Sequence, residues 1–138
     1  MQGQDELQVF LPAKRVASVG HRIVRNRAIS EKVKNYHNFC CQVCGLSLQT
    51  TAGAYAEGAH IKGLGRPHEG QDVEENLLCL CPNHHFLFDA GSLYVDEKKQ
   101  VWDALCAQPL GPLRVVPQHK IRQEYLDYHR EHYAIRDF

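Results

Sequence analysis

The sequence predicts a mixed α+β fold in which two short strands and one short helix gather around clustered cysteines and histidines. Three observations predict it. A cysteine pair, Cys41-Gln-Val-Cys44, is followed downstream by Cys79-Leu-Cys81-Pro-Asn-His84-His85. A segment suited to a short strand, 55–61, and a short apolar run, 77–81, flank a segment (63–72) that carries Gly63, Gly65, Gly70 and Pro67, the composition of a loop between strands. Pro82 then stands where a helix would open, because its missing N–H costs nothing at the first helical position.

In chain order, residues 1–21 read as a weakly ordered N-terminal extension and 22–138 as one domain with flanking helices. Residues 22–37 read as a basic helix, with Ser30 as an N-cap before Glu31-Lys-Val-Lys-Asn-Tyr. Residues 41–45 form a turn in which Gly45 supplies the permissive backbone. Segments 55–61 and 77–81 are the two short strands, and 82–89 is the helix, stopping before Gly91. Segments 92–95 and 100–103 flank a charged turn and read as a hairpin. Residues 105–118, with Pro109, Pro112 and Pro117, read as loop. A C-terminal helix is expected over 119–133, with Ile121, Tyr125, Leu126, Tyr128 and Tyr133 near one face.

The bulk numbers exclude little. The chain has 138 residues, enough for one domain with a modest core, and a formal net charge of zero. The distribution of charge says more. Between 12 and 36 stand Lys14, Arg15, Arg22, Arg25, Arg27, Lys32 and Lys34 against the single acid Glu31. A patch of this sign can bind phosphates whatever the total charge. The polar, acidic N-terminus carries no apolar signal segment, and no apolar run approaches membrane-spanning length, so no membrane partner is expected. The six cysteines cluster with histidine, which argues for metal rather than disulfides. That implies a reducing, cytoplasmic setting.

Zinc takes four ligands in a tetrahedron, and thiolate and imidazole suit it. Cys41 and Cys44 offer two ligands from one tight turn, and Cys81-Pro-Asn-His84 repeats the same spacing. The assignment is therefore Cys41, Cys44, Cys81 and His84, a structural zinc with no open position. Cys40 fits the turn less well than Cys41. Cys79 shares a strand face with Cys81 and remains an alternative to it.

A second constellation follows directly. His85 and Asp89 lie at i, i+4 on one helical face and can bind one divalent cation together. Carboxylate plus imidazole suits Mg, Mn or another divalent transition metal. His60, in the preceding strand, could take a proton from water as a general base. A metal would neutralise charge on a phosphate and stabilise the leaving oxygen. Asn76 cannot act as a base, but its amide can anchor the loop between the strands or hold His60 in one orientation.

At these residues the chain resembles the HNH nucleases, whose site is a two-strand-plus-helix, or ββα-metal, fold. The family signature falls on His60, Asn76 and His85. The resemblance is nearer to the HNH domains of modification-dependent restriction endonucleases. Gly58-Ala-His-Ile, Asn76-Leu-Leu-Cys-Leu-Cys-Pro-Asn-His-His, Phe88-Asp89-Ala-Gly, the stretch 22–45 and the tail Tyr125-Leu-Asp-Tyr-His-Arg carry it, over roughly residues 22–133. It implies a ββα-metal core with a structural zinc knuckle, flanked by a basic N-terminal helix and a C-terminal helix. His60 would be the general base, His85 and Asp89 the ligands of the catalytic metal, and Asn76 a support. The products would carry a 5′-phosphate and a 3′-hydroxyl. Many members place Asp or His just before the base as a further ligand. Here that position is Ala59, which cannot coordinate, and Glu57 is the nearest carboxylate that could reach in.

The favoured reading is a metal-dependent DNA endonuclease in a restriction or defence role, with modified DNA as a candidate substrate. The alternative is a non-catalytic zinc-dependent DNA-binding module or regulator, which has little need of His60, Asn76, His85 and Asp89 together. Arg22, Arg25, Arg27, Lys32 and Lys34 are the candidates for DNA backbone contacts. One site cuts one strand, so a double-strand break needs a homodimer or two binding events, with the tail tyrosines as a candidate interface. Recognition of a modified base would fall to a separate domain or subunit.

Overall fold

The structure is a computed structural model that describes residues 25–134. Helix α1 spans Arg27–Tyr36. A small hairpin follows, β1 (Leu48–Thr50) with β2 (Gly53–Tyr55). Strand β3 (Glu57–His60) pairs with β4 (Leu77–Leu80), and helix α2 runs from Pro82–Asp89. Strands β5 (Leu93–Val95), β6 (Gln100–Asp103) and β7 (Gln108–Pro112) form a meander. Helix α3 (Gln123–His129) closes the order and continues into a wide turn, Arg130–Ala134. Among the described residues, no helix is long and apolar enough to cross a membrane. The expected extension over 1–21 and the candidate Arg22 lie outside the described residues.

The antiparallel β3–β4 ribbon is the centre of the molecule, in the register Glu57↔Leu80, Gly58↔Cys79, Ala59↔Leu78 and His60↔Leu77. All four residues of β4 are buried, because both faces of this strand are covered. That is why it reads as an unbroken apolar run rather than an alternation. Leu78 and Leu80 join Ala59, Phe88, Leu93, Val95, Val101 and Leu126 on one side. Leu77 and Cys79 join Val33 and Ala56 on the other, with Ile29 and Phe39 of the α1 region packed against them. The ribbon is thus held between α1 and the α2/meander layer, and its ends are free to present polar groups.

Four expectations need correction. Helix α1 is capped by Asn26, whose side chain accepts from the Ala28 amide at 2.9 Å, and not by Ser30, which lies inside the helix. Ser30 has a packing role instead: a Cβ at Gly58 would collide with its side chain, so glycine there lets α1 sit close on β3. The single strand expected over 55–61 is divided, with buried Ala56 between β2 and β3. The segment expected as loop over 105–118 contains β7. Its prolines are tolerated because it pairs only with β6, as an edge strand beside a register shift at Val101/Trp102. The C-terminal helix is shorter than 119–133, and its widened last turn swings Tyr133 toward the loop after β3, where its hydroxyl accepts from the Gly63 amide at 2.9 Å.

Candidate active site

Two clusters share α2, one through His84 and the other through His85 and Asp89. In the first, Cys41 and Cys44 come from the turn after α1, Cys81 from the end of β4 and His84 from α2. Their ligand atoms all lie within 4.8 Å of one another. Cys81 Sγ is 3.3 Å and Cys41 Sγ 3.7 Å from His84 Nδ1, and Cys44 Sγ is 4.0 Å from Cys81 Sγ. Gly45 closes the turn at φ +81, a left-handed conformation that favours glycine. Buried Gln42 staples this turn to the ribbon. Its backbone N–H donates to the Cys79 carbonyl and its side-chain oxygen accepts from the Cys79 amide, both at 2.8 Å, while its side-chain N–H donates to the Arg114 carbonyl at 2.7 Å.

The donor set fits a zinc knuckle. Burial would raise the Cys41 thiol, but backbone N–H groups of Cys81, Cys44 and Val43 outweigh it and draw the thiol below its usual value. Cys44 is pushed up to about 11, first by burial and then by the neighbouring Cys41 and Cys81 charges. That mutual opposition of thiolates is what a divalent cation at their centre relieves. Cys79 lies outside this group. Cys79 points to the α1 side of the ribbon, in the apolar cluster with Val33 and Leu77, and burial holds its thiol up near 12. Cys40 is half-buried and outside the ligand group, and exposed Cys106 lies far along the chain on the meander.

The second cluster lines a cleft of about 360 Å³ formed by Arg25, Gly58, His60, Gly63, Leu64, His85, Asp89 and Tyr133. The sequence-predicted residues His60, His85 and Asp89 therefore meet in one place. His85 Nε2 lies 3.2 Å from Asp89 Oδ2, one helical turn on. On the other side of the ring, Nδ1 lies 2.8 Å from Glu57 Oε1, and Glu57 Oε2 accepts from the Tyr55 hydroxyl at 2.6 Å. Asp89 first, then Glu57, raise the His85 pKa against the effect of its burial. Glu57 itself is lowered, chiefly by the Tyr55 hydrogen bond.

His60 Nε2 lies 2.8 Å from Asp72 Oδ1, and Asp72 Oδ2 accepts from the Asn26 backbone N–H at 2.6 Å. Burial would raise the Asp72 carboxyl. The Asn26 hydrogen bond and the one with His60, with the charges of His60 and Arg25, outweigh that and hold it below its usual value. Asn76 is fully buried, and among the described residues no hydrogen bond joins its side chain to His60. Its side chain accepts from the Lys62 amide at 2.8 Å and donates to the carbonyls of Lys62 at 2.9 Å and Gln71 at 2.8 Å. It ties the two ends of the 62–71 loop together, the first of the two roles the sequence allowed it.

The basic candidates divide. Arg25 and Arg27 line a second, adjoining cleft with Asn26, Ser30, Gly58, His60 and Asp72, so they flank His60. Lys32 pairs with Glu74 at 3.2 Å. Lys34 pairs with Glu31 at 2.9 Å and its side chain is only 15% exposed. The structure therefore brings Arg25 and Arg27 to the site and leaves the two lysines on intramolecular partners. Asp72 and Gln42 were not among the sequence candidates, and Glu57, considered as a further metal ligand, instead holds the ring of His85. Gln42 carries a sequence signal only in retrospect, inside the cysteine turn, whereas Asp72 stands twelve positions after its partner His60, at the far end of a loop.

Comparisons with known proteins agree with this geometry. Residues 41–96 match the family described as HNH endonuclease. Among solved structures, a modification-dependent TagI restriction endonuclease is similar with a TM-score of 0.77 and 46% sequence identity, over 80% of this chain and 39% of that one. The chain thus spans well under half the length of that protein. No curated protein sequence matches the chain. Residues 41–96, with their antiparallel strand pair, following helix and Cys/His cluster, are an HNH endonuclease-family domain.

Proposed function

We propose that the chain is a metal-dependent DNA endonuclease that hydrolyses phosphodiester bonds, with His60 as general base and a divalent cation held by His85 and Asp89. One observation carries the reading: the proposed base and the carboxylate–imidazole pair line a single cleft together with Arg25. The family match and the restriction-endonuclease neighbour support a nuclease role. Cys41, Cys44, Cys81 and His84 would hold a structural zinc that fixes the end of β4 and the start of α2, and so the bearing of His85.

The residues divide the work. Arg25 and Arg27 bind backbone phosphates and place the scissile group in the cleft. His60 takes the proton of the attacking water, which generates the nucleophile where it is used. His85 and Asp89 present one nitrogen and one oxygen to a cation such as Mg or Mn, which when bound neutralises phosphate charge and stabilises the leaving 3′-oxygen. The 5′-phosphate remains on the other product. Glu57 engages the opposite nitrogen of His85, so it orients that ligand rather than adding to the ligand count. Tyr133, pinned to Gly63, walls the cleft.

The 46% identity to a modification-dependent enzyme favours modified DNA as the substrate of a larger system in which a separate domain or subunit supplies recognition. A homodimer would answer the need to cut two strands. The tail tyrosines no longer argue for one, because Tyr125, Tyr128 and Tyr133 hydrogen-bond within the chain, to Gln71, His68 and Gly63. The test is nicking of supercoiled plasmid, unmodified and modified, with Mg or Mn added, wild type beside His60→Ala. Cleavage by wild type alone is expected. Equal cleavage by both would overturn the base assignment. Cleavage by neither, with zinc bound and the fold intact, would favour the non-catalytic binding module.

A further inference from the structure

The contact between His60 and Asp72 fixes more than a distance. An ionised carboxylate offers only acceptor atoms. One oxygen of Asp72 faces His60 Nε2 at 2.8 Å and the other is filled by the Asn26 backbone N–H at 2.6 Å. The hydrogen of a neutral His60 ring must then sit on Nε2, where it donates to Asp72. Nδ1 is left as the lone-pair atom, and among the described residues no hydrogen bond engages it. Asp72 is not gathered with His85 and Asp89 into a common ligand set. Among the described residues, only Cys41, Cys44, Cys81 and His84 bring three or more ligating groups within 4.8 Å of one another.

We propose that Asp72 is the positioning residue of the general base: it selects the Nε2–H tautomer of His60, aims Nδ1 at the attacking water, and stabilises the ring once it is charged. The proposal rests on the reading of His60 as the base. In the step it serves, Nδ1 accepts a proton from water. The O–H electron pair becomes the new bond to phosphorus, and the P–O3′ pair departs with the leaving oxygen, which takes a proton from solvent. His60 is then a cation whose Nε2–H points at a carboxylate already ionised, so the charge that appears during reaction is met by a group that need not reorganise.

The same contact links the base to the basic arm. Asn26, which donates to Asp72, also caps α1, and Arg25 and Arg27 stand on either side of it in the cleft. Phosphate binding by these arginines therefore acts on the chain segment that holds the carboxylate in place.

The tautomer can be read directly by nitrogen-15 NMR of the imidazole, on the full chain with zinc bound and at a pH where the ring is neutral. Wild type is expected to show His60 with the proton on Nε2. A wild-type ring protonated on Nδ1 overturns the proposal without any variant. In Asp72→Asn the amide can offer either an N–H or an oxygen to Nε2, so the Nε2–H form is expected to be mixed or inverted. Its kcat should fall about 100-fold or more, with KM for plasmid and zinc content unchanged. Asp72→Ala should lose kcat to a comparable degree while leaving the ring unbiased. Retention of the parental tautomer or the parental kcat in Asp72→Asn would sink the idea. His60→Ala serves as the separate control. Its cleavage at the parental rate would overturn the base reading itself, whatever the ring nitrogen signals show.

Discussion

Glu57 and Asp89 hold opposite nitrogens of one ring: Glu57 Oε1 is 2.8 Å from His85 Nδ1, and Asp89 Oδ2 is 3.2 Å from His85 Nε2. The two carboxylates therefore cannot be equivalent. A histidine that ligates a metal through one nitrogen generally donates from the other to a carboxylate, which sets ring orientation and basicity. Glu57→Gln is expected to weaken the affinity for Mg or Mn by about 10- to 100-fold while sparing maximal activity at saturating metal. Asp89→Ala removes a proposed ligand and should not be rescued by excess metal. Titrating cleavage against metal concentration separates the two. Saturation of both variants at the parental metal concentration would contradict this division of roles.

The zinc knuckle makes a different prediction, about stability. Cys44 belongs to a turn that also presents Cys41 and is stapled to β4 through Gln42. Loss of the metal releases that turn and the start of α2 together. Cys44→Ser, or removal of the ion by a strong chelator, should cost about 4 kcal/mol or more of folding stability, seen as a lowered urea midpoint. Elemental analysis should find one zinc in wild type and none in the variant. A variant that kept both its zinc and its midpoint would mean the four ligands are wrongly assigned.

How much of this was legible in the sequence follows from the range of the forces involved. The gathering of Cys41, Cys44, Cys81 and His84, and of His60, His85 and Asp89, was readable because such groupings are written at local spacings: x2 for Cys41 and Cys44, one helical turn for His85 and Asp89. The β3–β4 ribbon and α2 were readable for the same reason, as apolar runs and a Pro82 start. The choice between Cys79 and Cys81 was not, since alternation along β4 is decided by which layer covers which face. The cap of α1 was misplaced because Ser30 and Asn26 are both good caps. What decides between them is that Gly58 needs Ser30 inside the helix, and Asp72 needs the Asn26 amide outside it. Strand β7 escaped notice because its prolines argue against a strand until its place at the sheet edge is known.

Asn76 separates loop anchoring from catalysis. It is fully buried, and its amide satisfies the Lys62 N–H and the carbonyls of Lys62 and Gln71. Truncation leaves those backbone groups without partners in a place water reaches poorly. Asn76→Ala should therefore cost about 3 kcal/mol and should raise amide exchange through 62–71. It should also weaken cleavage indirectly, because Asp72 follows that loop. A variant that lost cleavage but kept the parental stability and exchange pattern would show that Asn76 acts on the reaction itself.

A final prediction concerns acid. His37, at the end of α1, and His119, in the segment before α3, are both buried, with His37 Nε2 2.8 Å from His119 Nδ1. The other nitrogen of His119 donates to the Glu74 carbonyl at 3.1 Å, so Nδ1 is its lone-pair atom and His37 is the donor between them. This chain of donors and acceptors needs a neutral His119, whose Nδ1 must accept, and burial opposes a charge on either ring. Burial, and then the His119 charge, lower His37 from 6.5 to about 4, and burial likewise lowers His119, against the pull of the Glu74 and Leu77 backbone and of Glu74 and Glu75. The unfolded chain binds protons near 6.5 that the folded chain refuses, so the sign is fixed. The stability owed to this pair is complete above pH 6.5 and is lost as pH falls from there toward about 4. Urea midpoints measured from pH 7.5 downward should decline across that window, with the ring signals of His37 still those of the neutral form at pH 6. A His37 that titrated near its ordinary value, with no fall in midpoint, would mean that α1 is not locked to the C-terminal segment through this pair.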